Sequence, residues 1–222
     1  MKRIIKVYWQ LIWLVIVTSC QSINNRPYNY KRFPDNYSEI KQEYDSYHHF
    51  TNCQPGETIA SIGAGNGMKE VQISCFNKGI TWYLQEIDSS RLYEFDEVLR
   101  YHENVMDSSV DADFNLVLGT ENSTALPHEI FDRVLMLNVF HEIETQEGIM
   151  MEIHQLLDKG GVLIVMERMG ENKGEVHADC GYPKLTEDEF LEDMSKYGYA
   201  LNKKELGEEM SNLMFYSFVS ER

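Results

Sequence analysis

Thr58-Ile-Ala-Ser-Ile-Gly-Ala-Gly-Asn-Gly67 decides how this chain is read. An apolar run of strand type enters a loop with three glycines, Gly63, Gly65 and Gly67. Glycines let a backbone turn tightly and approach a ligand closely. A helix-like segment follows, and its first N–H groups have no partner within the helix. A second apolar run, Tyr83-Leu-Gln-Glu-Ile-Asp88, then delivers an acid at Glu86. An acid at the end of the second strand can accept hydrogen bonds from the two hydroxyls of a ribose. The arrangement is that of a nucleotide site.

The dinucleotide fingerprint G-x-G-x-x-G needs its third glycine at position 68, which holds Met68, so a nicotinamide enzyme is disfavoured. The spacing G-x-G-x-G resembles motif I of class I S-adenosylmethionine (SAM) methyltransferases. The resemblance continues in order. Leu116-Val-Leu-Gly-Thr-Glu-Asn-Ser-Thr-Ala-Leu-Pro127 and Phe131-Asp-Arg-Val-Leu-Met-Leu-Asn-Val-Phe-His-Glu-Ile143 resemble the family's third and fourth strands with their link. Leu156-Leu-Asp-Lys-Gly-Gly-Val-Leu-Ile-Val-Met-Glu167 resembles its turn into strand five. Four ordered blocks over residues 55–220 carry more weight than one glycine motif.

The resemblance implies an α/β fold, a Rossmann-like doubly wound sheet of seven strands with the last antiparallel. It implies SAM as cofactor. Gly63, Gly65 and Gly67 would line the methionine end, Glu86 the ribose, and the loop with Thr120, Glu121 and Asn122 the adenine. Asn138 stands where the family places a polar residue near the methionine moiety. One departure matters. The family has an acid two residues before the first glycine, and here that residue is Ser61. A serine supplies no charge, and a charge-assisted bond is worth about 1.5–3 kcal/mol, or roughly ten- to a hundred-fold in affinity. Glu57 and Glu70 are the nearby acids that could compensate, although Glu70 also suits the first turn of a helix.

Ligands of open α/β sheets gather at the carboxyl ends of strands. His141 follows strand four there, as a candidate proton acceptor for an acceptor hydroxyl or amine. A backbone-bonded histidine at a helix start is the competing reading. His177 and Cys180 are three residues apart, but no third ligand sits at sequence spacing from them, so no metal is expected.

Strand–helix alternation agrees with the fold. Strands are expected over 57–62, 81–87, 114–118, 132–138, 161–167, 199–206 and 213–220. Helices are expected over 39–50 from a Ser38 cap, 67–77, 89–104 capped by Ser89 or Ser90 or by Asp88, and 144–158. A capping box at Thr186–Glu189 opens another.

The N-terminus reads as an address. Lys2, Arg3 and Lys6 precede the apolar run 7–17, and Val17-Thr-Ser-Cys20 resembles a bacterial lipobox. The organisation expected is a lipoprotein-type signal over 1–19, a tether over 20–37, a helical segment over 38–56, and the methyltransferase-like domain over 57–222. Cys20 would be acylated, anchoring the protein by lipid to a membrane of the bacterial cell envelope. An uncleaved anchor, or a cytoplasmic enzyme with a start codon assigned too far upstream, are the alternatives.

The 222 residues carry 36 acids against 20 Lys plus Arg, a net charge of −16. Such a surface repels phosphate backbones, so nucleic acid is not the expected acceptor. Two functions remain open. One is methyl transfer to a small or lipid-like acceptor. The other is a non-catalytic membrane-anchored binding lipoprotein that keeps the fold, a reading helped by Ser61 and by the cytosolic origin of SAM.

Overall fold

The computed structural model describes residues 33–207 and 212–221. The signal, Cys20 and the tether as far as residue 32 lie outside the described residues. Seven strands form one sheet, β1 (Thr58–Ile62), β2 (Ile80–Glu86), β3 (Ala112–Leu118), β4 (Phe131–Leu137), β5 (Leu157–Arg168), β6 (Tyr199–Leu206) and β7 (Leu213–Ser220). Their order is β3-β2-β1-β4-β5-β7-β6. The five strands from β3 to β5 are mutually parallel, and β7 runs antiparallel between β5 and β6. This is the doubly wound, Rossmann-like sheet that the sequence predicts, with its last strand reversed. The strand order turns back between β1 and β4, the place where such sheets bind ligands at their carboxyl edge.

Period-two alternation fills both faces, because side chains of a strand point to opposite sides in turn. In β4, Val134 and Met136 join one core while Leu135 and Leu137 join the other. In β5, Leu163 and Val165 share the first core, and Ile164 and Met166 share the second. Helices α5 (Gln146–Leu156) and α6 (Glu187–Lys196) cover the first face through Met150, Ile153 and Phe190. Helices α1 (Tyr37–Thr51), α2 (Met68–Phe76) and α4 (Phe95–Met106) cover the second through Tyr47, Val71 and Val98. Each fully buried aliphatic side chain contributes roughly 1.5–3 kcal/mol. Tyr44 and Tyr47 are buried in that second core, and Tyr47 Oη donates to Gln72 Oε1 at 2.6 Å, so α1 is fastened to α2.

The differences from expectation have local causes. Asn36, not Ser38, caps α1 by accepting from Glu39 N at 3.1 Å. The single helix expected over 89–104 is two, α3 (Ser89–Leu92) and α4. The cap of α3 is the expected Asp88, accepting from Ser90 N at 2.9 Å. Re-aiming the chain after Leu92 seats Phe95 against Phe114, with ring centroids 5.0 Å apart. Strand β5 starts at Leu157, so Gly160 and Gly161 lie within it. The ladder shifts register there, between the pairs Phe131–Leu157 and Arg133–Val162, and Gly160 takes φ +100°. The capping box at Thr186 and Glu189 is present. Residues 33 and 34, read as tether, pack on the domain, with Phe33 stacked on Tyr101 and Tyr101 Oη donating to Pro34 O at 2.9 Å. Among the described residues no helix is long and apolar enough to cross a membrane.

Candidate active site

The loop between β1 and α2 is built from left-handed backbone. Gly63, Gly65 and Gly67 have φ of +63°, +62° and +76°. Side chains disfavour that region. Space restricts two of them further. A Cβ on Gly63 would lie 2.3 Å from Val139 Cγ2, and one on Gly67 would lie 2.8 Å from both Leu84 Cδ1 and Phe95 Cδ2. A Cβ on Gly65 would meet only the Arg91 guanidinium, at 3.3 Å. The three glycines therefore differ. The first and third let the loop lie against β4 and α4, and the second keeps its crest open.

The acid is tied to this loop. Glu86 Oε2 accepts from Gly65 N at 2.9 Å, while Oε1 accepts from Ile87 N at 2.8 Å and Asp88 N at 3.1 Å. A carboxylate has about four lone-pair sites. Three are occupied, and the fourth is on Oε2, the oxygen facing the glycines. Gln85 reinforces the junction, with Gly63 N donating to its Oε1 at 3.3 Å and Ala64 N to its main-chain oxygen at 2.9 Å.

Ser61 is buried and donates from Oγ to Glu70 Oε1 at 2.6 Å. Glu70 is itself 2% exposed, and its Oε2 has no hydrogen-bond partner among the described residues. Burial pushes its carboxyl above the usual range. An acid thus stands directly behind the position that the sequence leaves uncharged. Glu57 cannot serve there, because its two oxygens take Arg133 Nε and Nη2 at 2.8 and 2.9 Å.

At the end of β4, Asn138 has φ +66° and a buried Oδ1 with no partner among the described residues. Its N–H donates to Met166 O at 2.7 Å. Thr120, Glu121 and Asn122 are exposed in the loop after β3. That loop starts beside the acid, since Gly119 N donates to Glu86 O at 3.0 Å. Thr145 Oγ1 donates to Glu121 O and ties the loop to the start of α5. Ser61, the glycines, Glu86, Asn138 and the loop with Glu121 and Asn122 all lie at the carboxyl ends of β1 to β4.

His141 occupies a short 3₁₀ turn, Phe140–Glu142, after β4. Its side chain is only 2% exposed. Glu167, at the end of β5 and equally buried, accepts from His141 N at 3.3 Å. Glu167 Oε1 also lies 2.9 Å from His141 Nδ1, although without the alignment of a full hydrogen bond. The segment between β5 and α6 folds back over this pair. His177 stacks on His141 with ring centroids 3.8 Å apart, and Cys180 Sγ lies 3.5 Å from His141 Nε2. Burial, and then the neighbouring His141, push His177 down to about 4. His141 is thus enclosed rather than open to a cleft. Sequence reasoning missed Glu167 and the approach of residues 177–180. The only trace was the His177–Cys180 spacing, which becomes informative once the fold adds His141.

Residues 62–165 match the family model of the methyltransferase domain. The sheet order and the glycine loop after β1 fall within one known fold. The fold is that of SAM-dependent methyltransferases. A SAM-dependent methyltransferase from Aquifex aeolicus has 16% identity and a TM-score of 0.63, covering 82% of this chain and 96% of that one. The glycopeptide N-methyltransferase MtfA, solved with SAM, has 15% identity and a TM-score of 0.61, covering 80% and 93%. The [4+2]-cyclase SpnF has 18% identity and a TM-score of 0.59, and this chain spans 59% of its length. At such identities the likeness is one of fold, and the cyclase shows that the fold hosts more than one reaction. No curated protein sequence matches the chain.

The methyltransferase-type loop gives a direct test. Gly63→Ala adds left-handed strain and a methyl 2.3 Å from Val139 Cγ2. It should destabilise the protein by about 1–3 kcal/mol in urea unfolding. Val139→Ala in the same chain should restore part of that loss, because the offending atom is removed while the strain stays. Equal stability of Gly63→Ala and the parent would show that the loop does not need its glycine.

Proposed function

We propose that this protein transfers the methyl group of SAM to a small-molecule acceptor, small or lipid-like in character. The observation that carries the reading is the bond from Gly65 N to Glu86 Oε2, at 2.9 Å. It makes the glycine loop and the ribose acid one preformed unit, with one lone-pair site on Glu86 Oε2 still available. SAM supplies an electrophilic methyl on a sulfonium, and the chain supplies position. Glu86 accepts from the ribose. Gly63, Gly65 and Gly67 let the backbone run close beneath the methionine portion. Ser61 and Glu70 together receive the ammonium end, and the unpartnered Oε2 of Glu70 fits that charge. The unpartnered Oδ1 of Asn138 accepts from the same region. Asn122 and Glu121 border the adenine.

Fixing donor and acceptor at near-attack distance is the main source of rate for such a displacement. The acidic surface favours a cationic cofactor and disfavours a polyanionic acceptor. The sequence argument for a non-catalytic binder rests on Ser61 and on the cytosolic origin of SAM, and Glu70 behind Ser61 answers the first of these. His141 belongs to the acceptor side of this reading, under the segment 169–185 that covers it.

Calorimetry with SAM tests the cradle. Glu86→Ala should bind at least tenfold more weakly than the parent, which is about 1.4 kcal/mol or more. Circular dichroism should show the variant folded. Unchanged affinity in a folded variant would remove Glu86 from the site.

We further propose that Cys20 carries a lipid anchor in a bacterial envelope, a reading supported by the basic, apolar and small-residue order of residues 1–20. Cys20→Ala should leave the precursor unprocessed or move the protein out of the membrane fraction. Partitioning and migration identical to the parent would contradict the anchor.

A further inference from the structure

Three side chains from two distant stretches of sequence converge above the end of β4. We propose that His141, His177 and Cys180 form a binding site for a divalent transition metal, zinc by the nature of its donors. One ligand atom from each lies within 4.8 Å of the others. Two nitrogens and a sulfur are the donor set of zinc rather than of magnesium or calcium. The spacing agrees where it is tightest. Bonds of about 2.3 Å to sulfur and 2.0–2.1 Å to nitrogen, at tetrahedral angles, put S and N donors about 3.5 Å apart. Cys180 Sγ and His141 Nε2 are 3.5 Å apart.

Two further features point to a ligand. His177 Nε2 is buried with no hydrogen-bond partner among the described residues. An unpartnered buried nitrogen costs roughly 1–3 kcal/mol, and a metal would relieve that cost. Glu167 stands on the far side of His141, 2.9 Å from Nδ1. Ligating histidines have a carboxylate in that place, which keeps the proton on one nitrogen and leaves the other to bind metal. Three protein ligands leave one position for water or a fourth side chain, and Glu142 Oε1 lies 3.6 Å from His141 Nε2. The segment carrying His177 and Cys180 is shaped to hold them. Gly181 N donates to His177 O at 2.8 Å, and His177 N donates to Tyr182 O at 2.8 Å. A metal on Nε2 makes His141 a ligand and ends any role for it as proton acceptor.

The other described cysteines do not compete. Burial pushes Cys53 and Cys75 each up to about 12, away from the thiolate that a metal needs. The test uses the untagged full chain, stripped with chelator and titrated with cobalt(II), then with zinc(II). The expected result is one equivalent of cobalt, a thiolate-to-cobalt charge-transfer band, and loss of the band as zinc displaces cobalt. Cys180→Ser should abolish the band, and His177→Ala should weaken cobalt binding at least tenfold, both in folded protein by circular dichroism. Absence of the band in the parent, or unchanged binding in either variant, overturns the site. Neither titration contains SAM, so failure here leaves the methyl-transfer reading standing, and failure of that reading leaves this one.

Discussion

The bond between Gly65 N and Glu86 Oε2 joins the two strand ends on which the site depends. Gln85 adds two bonds to the same junction, from Gly63 N and Ala64 N, but only the Glu86 bond brings the acid itself onto the loop. With it, three backbone N–H groups converge on one carboxylate, and the oxygen facing the glycines retains a single lone-pair site. Bonds to a charged group are each worth about 1.5–3 kcal/mol. The loop is thus held in left-handed backbone before any ligand arrives. The same constraint explains the two tight glycines, since Val139 and Phe95 can approach only where no Cβ stands.

Much of this arrangement was legible in the sequence, for physical reasons. Glycines at 63, 65 and 67 announce backbone that other residues disfavour. Near-continuous apolar runs in β4 and β5 announce strands covered on both faces. The final hairpin, β6 and β7, has the bounds that the alternation predicts. What sequence could not show depends on contacts between distant residues. No local signal separates α3 from α4, because the break serves Phe95 and Phe114. The glycine pair at 160–161 reads as a helix end, yet the ladder to β4 absorbs it. Glu70 looks like an ordinary first-turn acid until the fold sets it against Ser61.

The cluster around His141 repeats that lesson. His141, Glu167 and the His177–Cys180 pair come from separate blocks, and only the adjacency of β4 and β5 brings them together. Glu167 reaches His141 because Leu137 is paired with Met166 across the ladder. The segment between β5 and α6 then closes the cluster. The glycine loop and the His141 cluster therefore meet just beyond the end of β4, with Val139 against Gly63 and His141 two residues further on.

The most direct test is a crystal structure of the protein with S-adenosylhomocysteine at saturating concentration. The account predicts the ligand over Gly63–Gly67, a ribose hydroxyl within hydrogen-bond distance of Glu86, and the adenine beside residues 119–122. A ligand bound elsewhere, or a cradle that stays empty at saturation, would contradict it.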